Sequence, residues 1–126
     1  MIIKMNDVVN VWSGLAELST KDFKSKLSFR LALNIRELEN KMKSFEETRN
    51  SLVKKFGVQD KDVQDRYIIK DESREEFARE LESVLEQTVD VNLKTLDIND
   101  FGDADVKPET FSKIYTILSD EGSVIV

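Results

Sequence analysis

The longest uninterrupted pattern in the chain runs from Lys21 to Phe56, a stretch with no glycine and no proline. Apolar side chains recur in it every three or four residues, the spacing that places them on one face of an α-helix. The members of this stripe are Leu27, Leu31, Ile35, Leu38, Met42, Phe45, Leu52 and Phe56. The pattern predicts a helix of about 54 Å, too long for a compact domain whose radius of gyration is about 14 Å. We therefore expect the helix to protrude or to bend.

Weaker patterns precede and end the long helix. Residues 2–5 predict a short strand or edge strand, and either Asn6 or Asp7 is suited to cap a first, short helix. Gly14 is expected to weaken that helix. The Ser19-Thr20 pair is expected to end it and to cap the long helix. Gly57 stands where a helix C-cap favours a residue with positive φ.

The second half of the chain alternates between short strands and helices. The predicted elements are a polar loop (57–66), a strand (67–69), a third helix ending near residue 88, a strand (89–93, with an extension towards residue 98), an acidic turn (97–105), a helix opened by Pro108 and closed by Gly122, and an apolar tail or final strand (123–126). Ser73 with Glu76 matches a capping box for the third helix. The order predicts a helix-dominated α+β fold, in which the ~36-residue helix packs with three shorter helices and a small sheet.

The length of 126 residues predicts one domain, 1–126, with a modest core. Its charge is divided unevenly: residues 1–57 carry 11 Lys and Arg against 7 Asp and Glu, whereas residues 58–126 carry 8 against 18. Two interpretations stay open. The two halves have solvated faces of opposite sign that help them to dock, or the acidic half meets a basic partner.

Several kinds of chemistry are excluded by residue types alone. The chain has no cysteine and no histidine, so it cannot build imidazole or thiolate zinc sites or Ser-His and Cys-His nucleophile pairs. Its four glycines are isolated, so no glycine-rich phosphate loop is present. The glutamates between residues 75 and 86 lie on the polar face of the predicted third helix rather than in a cleft. We therefore expect a non-enzymatic protein with no catalytic residues and no cofactor.

The acidic turn 97–105 resembles a calcium loop only in part. Asp97, Asn99 and Gly102 match positions 1, 3 and 6 of an EF-hand loop. Phe101 and Pro108 occupy positions 5 and 12, where the loop needs ligands. We expect no metal site, and a turn whose aspartates cap the following helix.

The long stripe is regular enough, over about four heptads, to predict a coiled-coil partner from the same chain or from a second copy. The residues predicted to make this contact are Leu27, Leu31, Ile35, Leu38, Met42, Phe45 and Arg49. Arg49 interrupts the stripe, so we expect a partly buried guanidinium that pairs with a carboxylate of residues 58–126. The alternative is a contact with an external carboxylate. The stripe also predicts self-association through the long helix.

The sequence shows no pattern typical of a membrane span or a secreted protein. No apolar run approaches the ~18 residues of a membrane span, and the N-terminus lacks the features of a signal peptide. We expect a cytoplasmic location in a bacterium or an infected host cell. Lys21, Lys24, Lys26 and Arg30 could contact phosphates, but a net charge of −6 argues against nucleic-acid binding.

The run from Leu27 to Glu39, followed by Phe45-Glu46-Glu47-x-Arg49-x-x-Leu52, resembles a family of small proteins from phages and prophages of Gram-positive bacteria. The likeness continues through Phe77-x-x-Glu80-Leu81-x-x-x-Leu85 and Val91-x-Leu93. That family has no assigned activity. The resemblance implies a phage accessory or assembly protein that acts by protein–protein interaction, and it transfers no catalytic residue. The competing hypothesis is an acidic inhibitor that presents carboxylates in place of phosphates to a nucleic-acid-binding host or defence protein.

Overall fold

A computed structural model describes residues 1–119 of the chain. The helices in this range are α1 (Met5–Leu18), α2 (Ser25–Phe56), α3 (Asp71–Leu85) and α4 (Pro108–Lys113), with 3₁₀ turns at Ile98–Phe101 and Tyr115–Ile117. The strands are β1 (Ile2–Lys4), β2 (Gly57–Gln59), β3 (Tyr67–Ile69), β4 (Thr88–Asp90), β5 (Leu96–Asp97) and β6 (Leu118–Ser119). This confirms the predicted helix-dominated α+β fold. The predicted stop at Gly122 and the tail 123–126 lie outside the described residues.

The strands pair two by two rather than in one small sheet. Antiparallel pairing joins β1 to β4 and β2 to β3, and parallel pairing joins β5 to β6. The β2–β3 pair is a hairpin over a segment that was predicted to be a polar loop up to residue 66. The β1–β4 pair places Ile3 opposite Val89, which brings the start of the chain to the end of α3.

The long helix ends at Phe56 as predicted but begins at Ser25, later than the predicted Lys21. The linker is held by a tertiary contact, because the Phe23 ring packs edge-on against Phe101 at a centroid distance of 5.6 Å. Lys24 remains extended and is the N-cap residue. At ~1.5 Å per residue, α2 is still about 48 Å long.

The predicted helix caps are wrong. The N-cap residues of α1, α2 and α3 are extended lysines without a side-chain cap: Lys4, Lys24 and Lys70. The Ser19 and Thr20 hydroxyls donate back to carbonyls of the last turn of α1, at 2.8 and 2.7 Å, instead of capping α2. Ser73 lies inside α3, since that helix starts at Asp71.

Two glycines serve purposes other than those predicted. Gly57 is extended, with φ of −96°, and begins β2 rather than closing α2 in a left-handed conformation. Gly14 is buried where α4 crosses α1. A Cβ atom there would overlap Ile114 Cγ2 and lie 3.2 Å from Lys113 Cβ. Gly14 thus permits a close contact between helices rather than marking a weak helix.

The segment 91–95 runs along α2, held by side chains one helical turn apart. Asn34 is fully buried and bonds Lys94 in both directions, with its Nδ2 2.9 Å from the Lys94 carbonyl and its Oδ1 2.7 Å from the Lys94 N–H. The Glu37 carboxylate accepts from the Asn92 N–H at 2.8 Å. Arg30 donates to the Thr95 carbonyl at 2.8 Å. These bonds satisfy backbone groups that a strand would use, so the predicted strand 89–93 is short.

The acidic turn and the last helix differ from prediction in their extent. Asp97 accepts a hydrogen bond from the Asn99 N–H at 2.9 Å and caps the 3₁₀ turn, not the helix that Pro108 opens. Pro108 begins α4 as predicted, but α4 ends at Lys113. The chain then turns so that Ile117 is buried and Leu118 pairs with Leu96.

Burial divides the described chain into two regions. We define the body as residues 1–45 and 91–119, and the arm as residues 46–90. Every buried side chain lies in the body, whose core is formed by α1, the first two thirds of α2, the segment 91–101 and the α4 region. The arm contains the end of α2, the β2–β3 hairpin and α3, and none of its side chains is fully buried. The apolar side chains of α3, Phe77, Leu81, Val84 and Leu85, are only half-buried.

Candidate interaction surfaces

The stripe predicted to bind a partner is largely used inside the chain. Its members Leu27, Leu31, Leu38, Met42 and Phe45 are buried in the core, covered by α1 and other parts of the body, and Ile35 is half-buried against the same core. Within the chain, both α1 and α3 pack against α2. A surface for another molecule has to be formed by other residues.

The expected burial of Arg49 is wrong, and the expected ion pair is not found among residues 58–119. Its side chain is exposed, and no carboxylate within residues 58–119 forms an ion pair with it. The physical reason is the thinness of the arm. At Arg49 the long helix has left the core, so even a side chain on the apolar stripe is reached by water.

Two contacts attach α3 to the end of α2. The rings of Phe56 and Phe77 meet edge-on with centroids 6.2 Å apart. Lys55 lies 3.4 Å from Glu80 and 5.0 Å from the centre of the Phe56 ring. Such a pair of exposed charges stabilises a fold by at most about 1 kcal/mol, so the arm is held mainly by its half-buried apolar side chains.

The hairpin at the end of α2 exposes apolar side chains on one face. Val58 and Ile68 are direct cross-strand partners, so they point to the same side. Their exposed fractions are 44% and 45%. The neighbours Tyr67 and Ile69 point to the opposite side and are half-buried, where β3 contacts α2. We call Val58 and Ile68 the hairpin patch. Each strand of this hairpin keeps one edge unpaired among the described residues.

A second exposed surface is acidic. The solvent side of α3 has two arginines, and each is engaged within the helix: Arg74 lies 3.2 Å from Asp71, and Arg79 lies 3.5 Å from Glu75. Further exposed carboxylates form no ion pair with the described residues; these are Glu72, Glu76 and Glu82. The charge asymmetry of the sequence is thus displayed on the arm.

The shifted pKa values of the body belong to structural ion pairs. Hydrogen bonds from Lys113, at 2.6 Å, and from Thr110 lower the pKa of the Glu17 carboxyl. The same carboxylate raises the pKa of Lys113. Lys4 likewise has a raised pKa because it hydrogen-bonds Glu86, 2.8 Å away. These groups join α1 to α4 and β1 to the end of α3.

Within residues 1–119 no group of three or more acidic side chains is placed to hold a metal ion. No helix in this range has both the length and the apolar character needed to cross a membrane. Comparison with protein-family models, with curated proteins and with solved structures gives no significant match.

Proposed function

We propose that this chain is a non-enzymatic accessory or assembly protein of the phage type, which acts in the cytoplasm by binding another protein or a second copy of itself. The arm is the binding part. The observation that carries this proposal is the hairpin patch, where Val58 and Ile68 stand side by side in solvent at the end of α2.

The physical argument starts from burial. A partner that covers Val58 and Ile68 gains the free energy of removing their adjacent apolar surface from water. The hairpin adds two unpaired strand edges beside the same side chains, and an extended segment can add to such an edge by main-chain hydrogen bonds. The arm includes residues 46–56 of α2, so self-association through this end of the long helix uses solvent-exposed residues rather than the buried stripe.

Sedimentation velocity over a range reaching tens of micromolar tests self-association. We expect the wild type to dimerise, and Val58→Lys with Ile68→Lys to shift the protein to a monomer. The matched control is Ile98→Lys with Tyr115→Lys, because these side chains are exposed on the body, at 44% and 78%. The control should associate like the wild type. A wild type that is strictly monomeric at these concentrations would limit the proposal to a different protein partner.

The second candidate function is an acidic inhibitor of a nucleic-acid-binding protein. The unpaired carboxylates of α3 favour it, because a row of exposed negative charges can occupy a site built for phosphates. Binding of this kind should weaken steeply with salt. A basic DNA-binding protein should bind the triple variant Glu72→Gln, Glu76→Gln, Glu82→Gln more weakly than the wild type. It should bind the hairpin variant, with lysine at positions 58 and 68, as tightly as the wild type. The opposite result would support the hairpin patch as the contact.

A further inference from the structure

A cleft lies at the base of the arm, where α2, the end of α3 and the β1–β4 pair meet. Its volume is about 310 Å³, at the small end of the range for ligand pockets. The floor is apolar and is formed by Met5, Phe45, Val84 and Val89. The rim contains polar side chains of α2 together with Gln87, which follows α3. This site is separate from the hairpin patch.

Lys41 is the one charged residue among the described residues that line the cleft. Its side chain is half-buried. Spacing along the helix would pair it with Glu37, four residues earlier. Glu37 is directed elsewhere, because its carboxylate accepts from the Asn92 N–H at 2.8 Å. No carboxylate of residues 1–119 forms an ion pair with Lys41.

The amides beside Lys41 are also uncommitted. Within the described residues, the side chains of Asn40 and Gln87 donate to no protein group, in contrast to Asn34, whose amide is fully used in the core. The nearest carboxylate in sequence to Gln87 is Glu86, and it is neutralised by Lys4 at 2.8 Å. The rim therefore offers one ammonium and two side-chain amides whose NH₂ groups can donate hydrogen bonds, over an apolar floor.

We propose that this cleft binds a small amphipathic carboxylate, whose charge pairs with Lys41 and whose apolar chain covers Phe45 and Val84. Each part of the ligand follows from a part of the site. One cation matches one negative charge, whereas a phosphate monoester carries about −1.5 to −2 at neutral pH. The apolar floor requires a hydrocarbon group, and the small volume limits it to a medium-length chain.

Sodium octanoate is a suitable probe, used below the concentration at which it forms micelles. In ¹⁵N-labelled protein we expect saturable shifts of the Lys41 and Ser44 amides and of the side-chain NH₂ groups of Asn40 and Gln87. Octanol has the same chain without the charge and should bind at least about tenfold more weakly, the factor that 1.4 kcal/mol produces.

The matched variants are Lys41→Met and Lys43→Met. Both remove one positive charge from α2 and keep an apolar stem, but Lys43 is exposed and does not line the cleft. Lys41→Met should raise the dissociation constant of octanoate at least about tenfold, and Lys43→Met should leave it within a factor of two. Lys41→Gln is a second replacement, and the far-UV circular dichroism of all variants verifies folding.

Three outcomes would overturn the site: octanoate that causes no saturable shift at these residues, equal weakening by both methionine variants, or equal affinity for octanol and octanoate. The octanoate experiment tests the cleft independently of the proposed function, since the hairpin variants should bind octanoate like the wild type. Loss of self-association and loss of octanoate binding are thus separate failures.

Discussion

The body and the arm are built on the same helix and differ in what covers it. In the body, α2 is packed by α1, by the segment 91–95 and by the region of the 3₁₀ turn that contains Phe101. In the arm, its cover is α3 and the small hairpin. Leu38 in the body is fully buried, whereas Leu52 and Phe56 in the arm are half-buried. An apolar stripe of constant spacing therefore corresponds to two depths of burial.

If the arm binds as proposed, this difference separates stability from binding within one short chain. Burial of apolar area stabilises a fold by about 25 cal/mol per Å², so most of the stability must come from the body. The arm leaves part of its apolar surface in contact with water, and a partner that covers this surface can gain that free energy on binding. Regions that bind are often less stable than the scaffold that presents them.

Hydrogen exchange should show the largest contrast between the two regions. After correction for intrinsic rates, we expect amides of α3 to exchange at least about a hundredfold faster than those of α1, equivalent to a difference of about 2.7 kcal/mol in opening free energy. The reason is that α3 contributes no buried side chain, whereas α1 contributes six buried residues. Equal protection of both helices would show that the arm and the body open as one unit.

Leucine truncations measure the same contrast at equilibrium. Leu38→Ala removes a fully buried side chain and should cost about 2–5 kcal/mol of unfolding free energy. Leu81→Ala makes the same chemical change at a half-buried position of α3 and should cost only about 1 kcal/mol. Urea denaturation followed by circular dichroism gives both values. Costs that agree within error would contradict the division into body and arm.

Asn34 offers a smaller effect with a different cause. Asn34→Leu keeps this core position filled but leaves the Lys94 N–H and carbonyl without their hydrogen-bond partner. The variant should lose about 1–3 kcal/mol of unfolding free energy. Asn40→Leu on the same helix is the control, because Asn40 is exposed and donates to no protein group in residues 1–119. It should change the unfolding free energy by less than about 0.5 kcal/mol. Similar costs for both variants would show that the two hydrogen bonds between Asn34 and the Lys94 backbone contribute nothing to stability.

The long helix and the fold class could be predicted because their cause is local. Absence of glycine and proline and a stripe repeating every three or four residues define α2, and Pro108 opens α4 for an equally local reason. Neither pattern indicates how deeply the rest of the fold buries the side chains. The stripe at Arg49 has the same spacing as the stripe at Leu38, and only the tertiary arrangement leaves one in water and the other in the core.

The missed features depend on contacts between distant parts of the chain. Phe23 delays the start of α2 because it packs on Phe101, and Gly14 is required by Ile114 of the α4 region. The sequence did contain one indication of the contact between Asn34 and the Lys94 backbone. Asn34 is a polar residue on the apolar side of the long helix, seven residues after Leu27 and four before Leu38. A buried amide needs partners, so that position could have predicted a bond to the backbone, although not to Lys94 in particular.

The smallest expected effect concerns pH, and it again separates the regions. In the body, hydrogen bonds from Lys113 and Thr110 lower the pKa of Glu17 below its ordinary value of 4.5. A lowered folded-state pKa means that this contribution to stability is fully present above about pH 4.5 and is lost as the pH falls through the folded-state value. The pKa of Lys113 is raised, so its contribution to stability is lost only when the pH rises above its ordinary pKa of 10.5.

Both losses lie far from neutrality, and the chain has no histidine, so we expect a flat stability profile between about pH 6 and 8. Unfolding midpoints measured from pH 3 to 9 test this expectation, with the pH values chosen around the reference pKa values. Glu17→Gln should flatten part of the acid limb, because the variant has no carboxyl to protonate. Glu76→Gln in the arm is the control and should keep the acid limb of the wild type, since Glu76 is exposed and forms no ion pair within residues 1–119. A transition near neutral pH would contradict the assignment, and so would a Glu17→Gln profile that overlays the wild type, because acid stability would then be determined by carboxylates outside the α1–α4 contact.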